Sequence, residues 1–241
     1  MPFTLAHPAA VLPLARSRLH FPALVLGSMS PDFLYFLQGR PASGYGHTLM
    51  GCILLNLPLV VLLYALYRHV MAEVFWKHLP DALRVAPLPL RALSPWAAAL
   101  RFALSAFLGM ATHVFWDGFT HQGATFVDAL PWLQATISGL ALYKWLQYGG
   151  GVLGLAAIAF FWRGQARRFP AAAGGVAAGQ KWRFWLGCAA WTLAGFALWS
   201  WFAPLSWRAV ATQVVRFTDC AALALLWMCV RNFLTGKRLS R

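Results

Sequence analysis

The residues able to do chemistry in this 241-residue chain are few and gathered. There are seven His and six Asp plus Glu. Among them, His7, Asp32, His47, His113, Asp117 and His121 fall in three short polar patches. These read Leu-Ala-His-Pro (5–8), Ser-Pro-Asp (30–32) leading to Gly-His-Thr (46–48), and Thr-His-Val-Phe-Trp-Asp-Gly-Phe-Thr-His (112–121). His113 and Asp117 are i and i+4, so on a helix both point to one side. Gly118 favours ending that helix, which would let His121 fold back toward the same place. Neutral imidazole nitrogens and carboxylate oxygens converging from rigid elements are what a divalent cation needs, with one position left open for water. Thr48, Thr112 and Thr120 are candidates to orient such ligands.

The elements that position these patches are membrane helices. Hydrophobic residues make up 60% of the chain and charged ones only 11%, against about 25% charged in an average soluble domain. A soluble fold of this size could not hide so much apolar surface. The expected fold class is all-α: a polytopic membrane helix bundle of about five transmembrane helices, near 49–67, 95–116, 138–162, 182–202 and 209–234. Short N-terminal helices precede them. The stretch 5–14 is broken by Pro8 and Pro13, and 21–37 by Ser-Pro-Asp. Neither piece is long enough to span cleanly, so both are expected to lie in the interface or in the mouth of the bundle. No small-residue cleavage site follows a clean apolar core, so no signal peptide is expected. The chain reads as one integral membrane domain over 1–241. Residues 1–48 carry ligand motifs, 49–123 two spans bearing the His/Asp site, and 138–234 three further spans. The His47 patch opens span one and the His113 patch closes span two, so both lie at the same membrane face.

Twenty Lys plus Arg against six acids give a net charge of +14. The basic residues sit in short clusters between apolar runs and not along one face, so they read as topogenic charge and not as a nucleic-acid surface. The loop 68–94 (Arg68, Lys77, Arg84, Arg91), the loop 163–181 (Arg163, Arg167, Arg168, Lys181) and the tail (Lys237, Arg238, Arg241) are expected in the cytoplasm, with 117–137 outside. Arg16, Arg18 and Arg40 oppose that orientation.

Several polar residues read more simply. His20, His69 and His78 are expected as hydrogen-bonded core or interfacial residues, and Asp32 after Ser-Pro could by itself be only a helix N-terminal charge. Cys52, Cys188, Cys220 and Cys229 lie in apolar runs without CxxC spacing and read as small core residues. Arg216 and Asp219, i and i+3 within the last span, are expected to pair. Gly149-Gly150-Gly151 with Gly154 suggests close helix packing or a kink.

The three patches resemble those of bacterial inner-membrane proteins described as membrane-bound metal-dependent hydrolases. They look especially like a neighbouring family of unknown function whose members begin Met-Pro-Phe-Thr-Xaa-Ala-His-Pro. The likeness is carried by residues 1–10, by Gly27-Ser28-Met29-Ser30-Pro31-Asp32-Phe33, by Gly46-His47-Thr48, and by 109–121. More distantly, the order His, Asp, His, then His-Xaa3-Asp is similar to the ligand order of bacterial zinc-dependent phospholipase C. That likeness implies a zinc held by Asp32, His47, His113 and Asp117, with Asp117 able to bridge to a second metal and His7 as a further ligand. A later His-Xaa3-Glu of those enzymes is absent, so one or two ions are implied and not three. The expected function is a metal-dependent hydrolase of a phosphoester such as a lipid head group or lipid-linked phosphate. Asp32 or Asp117 would take the water's proton and His121 would serve as acid. Zinc is the first choice of metal, with Mn or Fe as alternatives, and membrane lipid is the expected partner. The expected location is the bacterial inner membrane, with the site extracytoplasmic and the C-terminus cytoplasmic. The competing reading is a non-catalytic metal-binding or small-solute transporter whose path Arg216, Asp219 and the glycine run would line. Haem held by facing His is a third.

Overall fold

A computed structural model describes residues 3–41, 44–86, 93–171 and 174–239, with side chains to Thr235. Met1 and Pro2 of the opening motif, and Arg91 and Arg241 of the charge clusters, lie outside the described residues, as do the side chains of Lys237 and Arg238. The chain opens with Thr4–Arg16 as a 3-10 helix. Pro8 and Pro13 each remove a backbone N–H and crowd the preceding turn, so an α-ladder cannot form. Helix α1 (Phe21–Met29) follows, then a 3-10 turn at Ser30–Asp32, helix α2 (Phe33–Gln38) and another 3-10 turn at Gly44–His47. The long apolar stretch α3 (Leu49–His78) relaxes into π-helical turns at Cys52–Asn56 and Tyr67–Met71. Next come α4 (Pro95–Asp117), α5 (Thr125–Ala129), a two-residue hairpin (Thr136–Ile137 with Leu140–Ala141), α6 (Leu142–Arg168), α7 (Ala178–Phe202) and α8 (Val210–Leu239).

Four helices, α3, α4, α6 and α8, are long and apolar enough to cross a membrane, the mark of a membrane protein. The fifth expected span is not among these four. Helix α7 has the length, 25 residues, but Trp182, Trp185, Trp191, Trp199 and Trp201 dilute its apolar character, because an indole carries a polar N–H and favours the interface over the hydrocarbon. The third span is also trimmed at its start, since 136–141 turns back as a hairpin through Ser138 and Gly139, both at positive φ (51° and 80°).

By contacts the chain divides into two compact units. The first comprises Met1–Phe33, Gly44–Tyr64 and Leu88–Gln165. Its centre is the crossing of α1 over α4, and glycines set its closeness. A Cβ on Gly27 would strike the Ala106 carbonyl, and one on Gly109 would strike the Leu24 carbonyl and lie 2.7 Å from the Ser28 amide. The crossing is pinned by Ser105, whose Oγ donates to the Arg101 carbonyl (2.6 Å) and accepts from the His20 amide (2.9 Å). His20 caps α1, its Nδ1 accepting from Ala23 N–H, and packs against Tyr64 and Phe102. The glycine run in α6 also serves packing, with Gly150 against the Trp116 ring and Gly154 against Ala6.

The second unit comprises Leu34–Ser43, Ala65–Pro87 and Ala166–Arg241. Its core gathers Val74, Phe184, Cys188, Met228 and Cys229. His78 is buried there, stacked on Phe184 and bonded through Nδ1 to the Val74 carbonyl at 2.7 Å. His69 lies exposed. All four cysteines are free and buried. The expected Arg216–Asp219 pair does not form. Arg216 Nη1 instead donates to the Ala203 carbonyl at 2.6 Å, with its guanidinium over the Trp199 ring. Ala203 caps the C-terminus of α7, where unsatisfied carbonyls concentrate negative potential, and the long Arg side chain reaches it.

Candidate metal centre

The site lies wholly within the first unit and is assembled from four stretches of chain. Thr4–Arg16 brings His7, the Ser30–Asp32 turn brings Asp32, and the Gly44–His47 turn brings His47. The last turn of α4 brings His113 and Asp117, one above the other as the i, i+4 spacing requires. One ligand atom each from Asp32, His47, His113 and Asp117 lies within 4.8 Å of all the others. His47 Nε2 is 3.7 Å from Asp32 Oδ1 and 3.3 Å from Asp117 Oδ2. His113 Nε2 is 3.6 Å from Asp32 Oδ1 and 3.3 Å from Asp117 Oδ2.

These separations discriminate between an ion-pair cluster and a cation cage. A charge-assisted hydrogen bond between imidazole and carboxylate closes to about 2.7–2.9 Å. Ligands on a tetrahedral ion with bonds of about 2.0–2.2 Å stand roughly 3.3–3.6 Å apart. The observed gaps fit the second figure. Asp32 Oδ1, His113 Nε2, Asp117 Oδ1 and His7 Nε2 are moreover buried without a hydrogen-bond partner among the described residues. Buried polar atoms left unsatisfied each cost about 1–3 kcal/mol, more for charged ones, and two carboxylates so close repel each other. The donor set therefore fits a cation, and this buried Asp-His-His-Asp cluster could hold a metal ion.

Around it the chain fixes each ligand. The Ser28 carbonyl stands 2.7 Å from His113 Nδ1. A carbonyl only accepts, so Nδ1 carries a proton and Nε2 is the ring atom turned to the cluster. Thr4 Oγ1 donates to Asp32 Oδ2 at 2.5 Å, leaving Oδ1 for the centre. Burial works to raise the Asp32 carboxyl, but the His113 ring and the Thr4 hydroxyl outweigh it and hold the group below its usual range. Gly46 lets the His47 turn press against the Pro31 carbonyl, where a Cβ would clash. Asn56, fully buried in α3, donates from Nδ2 to the Gly46 carbonyl at 2.7 Å. Because Asn56 holds the backbone beside a ligand, Asn56→Ala is expected to weaken metal binding by about tenfold or more. A competitive chelator titration checks this, and unchanged affinity would remove Asn56 from the site.

His7 and His121 stand beside the four. The His7 ring stacks on His113 with centroids 3.6 Å apart, and its Nε2 is 3.6 Å from Asp117 Oδ1. Burial, and then the neighbouring His113, push His7 down to about 3, so it is neutral at ordinary pH. His121 Nδ1 approaches the Asp117 carbonyl (3.2 Å), Thr120 Oγ1 (3.1 Å) and Asp117 Oδ1 (3.5 Å). Its Nε2 faces Gln147 Nε2 at 3.2 Å, and Lys144 Nζ holds Gln147 Oε1 at 2.8 Å. Burial lowers His121 as well. Of the three threonines expected to orient ligands, only Thr120 touches one of the six residues. Thr48 caps α3 through the Gly51 amide, and Thr112 donates to the Gly109 carbonyl in its own helix. The orienting partners are instead Thr4, Ser28, Asn56 and Gln147. Asn56 and Gln147 were detectable as amides inside apolar runs, whereas nothing in the sequence singles out a backbone carbonyl such as that of Ser28.

The chain matches the family model described as Domain of unknown function (DUF4184) over residues 1–234. No curated protein and no solved structure matches it.

Proposed function

The chain belongs to that family, and we propose that it is a membrane-embedded metal-dependent hydrolase acting on a phosphoester. The supporting observation is the cage of four ligand atoms at ion-sized gaps, in which Asp32 Oδ1 and His113 Nε2 are buried without a hydrogen-bond partner among the described residues. The likeness of the three patches to metal-dependent hydrolases and to zinc-dependent phospholipase C supports the same reading. Asp32, His47, His113 and Asp117 would hold the ion, with zinc favoured by the mixed nitrogen and oxygen donors and Mn or Fe as alternatives. Such an ion supplies Lewis acidity to a phosphoryl oxygen and lowers the pKa of bound water toward ~7.

The chain's own groups divide the remaining work. Asp32, His113 and His7 are almost fully enclosed, whereas the side chains of Asp117, His47 and His121 are 13%, 19% and 29% exposed. Substrate therefore approaches past His47 and His121. His121 bears its proton on Nδ1, facing the Asp117 carbonyl, and keeps a lone pair on Nε2. Lowered by burial, it rests neutral, and the Gln147 amide already donates to its Nε2 lone pair, so the partly exposed Asp117 carboxylate would take the proton of the attacking water and return it to the leaving oxygen. A site at the end of an apolar helix suits a lipid head group or lipid-linked phosphate. The loop charges favour a bacterial cell membrane with the site outside and the C-terminus in the cytoplasm. That orientation needs α7 to cross too, which its 25 residues permit at about 1.5 Å per residue.

The test is metal content together with turnover. Purified protein is expected to carry about one or two zinc per chain. It should hydrolyse bis(4-nitrophenyl) phosphate or a phospholipid, lose that activity to a chelator and regain it with zinc. Metal at background level would overturn the reading. Bound metal without turnover on any phosphoester, accompanied by solute uptake into vesicles, would replace it with transport.

A further inference from the structure

We propose that the open polar pocket after the metal centre binds the polyhydroxylated head group of the phosphoester, an inference that rests on the hydrolase reading above. The pocket is an open depression of about 410 Å³ lined by the exposed Gln122, Asp128 and Gln134, by Tyr143, and by the apolar Val127 and Ala141. Ligand sites run to about 300–1,000 Å³, so the volume suits a sugar or polyol and leaves little room for acyl chains.

Three connections make the pocket and the metal centre neighbours. Gln122 directly follows His121. The amides of Phe126 and Val127 both donate to the Gly118 carbonyl, at 3.1 and 3.2 Å, one residue beyond Asp117. Tyr143 precedes Lys144, which holds Gln147 against His121. A phosphoester with its phosphorus at the Asp/His cluster would extend its head group past His121 into this space.

The lining chemistry selects the class. Asp128 accepts only, the two amides both donate and accept, and the Tyr143 hydroxyl does both. Hydroxyl groups on adjacent carbons need such a mixture. An ammonium head group would use the carboxylate alone and leave the amide donors idle. Gln134 already turns its Nε2 to the Val127 carbonyl at 3.0 Å, which fixes its Oε1 as an acceptor. No hydrogen bond or ion pair engages the side chains of Gln122 or Asp128 among the described residues, so both are available.

The test compares esters with and without a polyol on the zinc-loaded full chain in detergent micelles. Asp128→Asn is expected to raise KM about tenfold, the worth of one hydrogen bond to a charged group. The rise should appear for phosphatidylinositol and for soluble inositol 1-phosphate, with kcat and metal content unchanged. KM for bis(4-nitrophenyl) phosphate and for phosphatidylethanolamine should not move. A shift with phosphatidylinositol alone would assign a lipid source, and one with inositol 1-phosphate alone a soluble one. Equal shifts for all esters, or none, would overturn the pocket's role. If no ester turns over, the hydrolase reading fails by itself, and saturation-transfer NMR with inositol then decides the pocket. Saturable binding that Asp128→Asn weakens would sustain a polyol site, and absence of binding would refute it.

Discussion

Asp117→Asn is expected to remove the metal from the protein while leaving it folded. Asp117 approaches all four histidines of the site. Its Oδ2 stands 3.3 Å from His47 Nε2 and from His113 Nε2, and its Oδ1 stands 3.6 Å from His7 Nε2 and 3.5 Å from His121 Nδ1. The substitution keeps the volume but leaves Asp32 as the sole carboxylate facing a divalent charge. Metal content should fall from about one per chain to background. The stability readout is the thermal gain on adding metal. In chelator the variant should melt at or slightly below the wild type, since the contacts of four imidazoles with the Asp117 charge are lost. With zinc at about 100 times its Kd, the wild type should gain about 2.7 kcal/mol, or roughly 5–10 °C for a chain of this size. The variant should gain almost none of this. Equal zinc content in the two proteins, or equal thermal gain, would refute the site.

The residues of the cluster were legible because acids and histidines are scarce in this chain. An acid in a mostly apolar sequence is costly enough to mark function, and the i, i+4 spacing of His113 and Asp117 gave their common direction without any knowledge of the fold. Adjacent spans then put His47 and His113 at one face. Sequence spacing reached less far for groups whose partners are backbone. Arg216 and Asp219 share a helix face, but a long guanidinium chooses among everything within its reach, and the carbonyl at the end of α7 offered a better acceptor. Thr48 and Thr112 looked like ligand supports, yet hydroxyls near a helix are satisfied by that helix's own backbone first. Helix α7 falls below the apolar level of the other four long helices for a related reason, since apolar count does not separate a tryptophan, which prefers the membrane surface, from a leucine, which prefers the interior.

Gly109→Ala should damage the site although Gly109 contacts no ligand. Gly109 sits one turn before His113 on α4, at the closest approach to α1. The added Cβ would meet the Leu24 carbonyl and the Ser28 amide, which are backbone atoms and cannot swing aside. Helix α1 must therefore lift from α4. The Ser28 carbonyl would move with it, and the 2.7 Å bond that fixes the His113 tautomer would lengthen. Asp32, three residues past the end of that crossing helix, would be drawn from the cluster as well. Overpacking of this kind costs about 1–3 kcal/mol, more where only backbone can yield. In a bilayer, close helix approach through small residues is also a main source of association. The variant is expected to lose at least tenfold in zinc affinity, whereas Gly149→Ala, on α6 where a Cβ meets nothing within 4 Å, should bind zinc as the wild type does. The contrast separates a positional effect from a general intolerance of added methyl groups. Zinc affinity unchanged in Gly109→Ala would show that the α1–α4 crossing does not set the geometry of the centre.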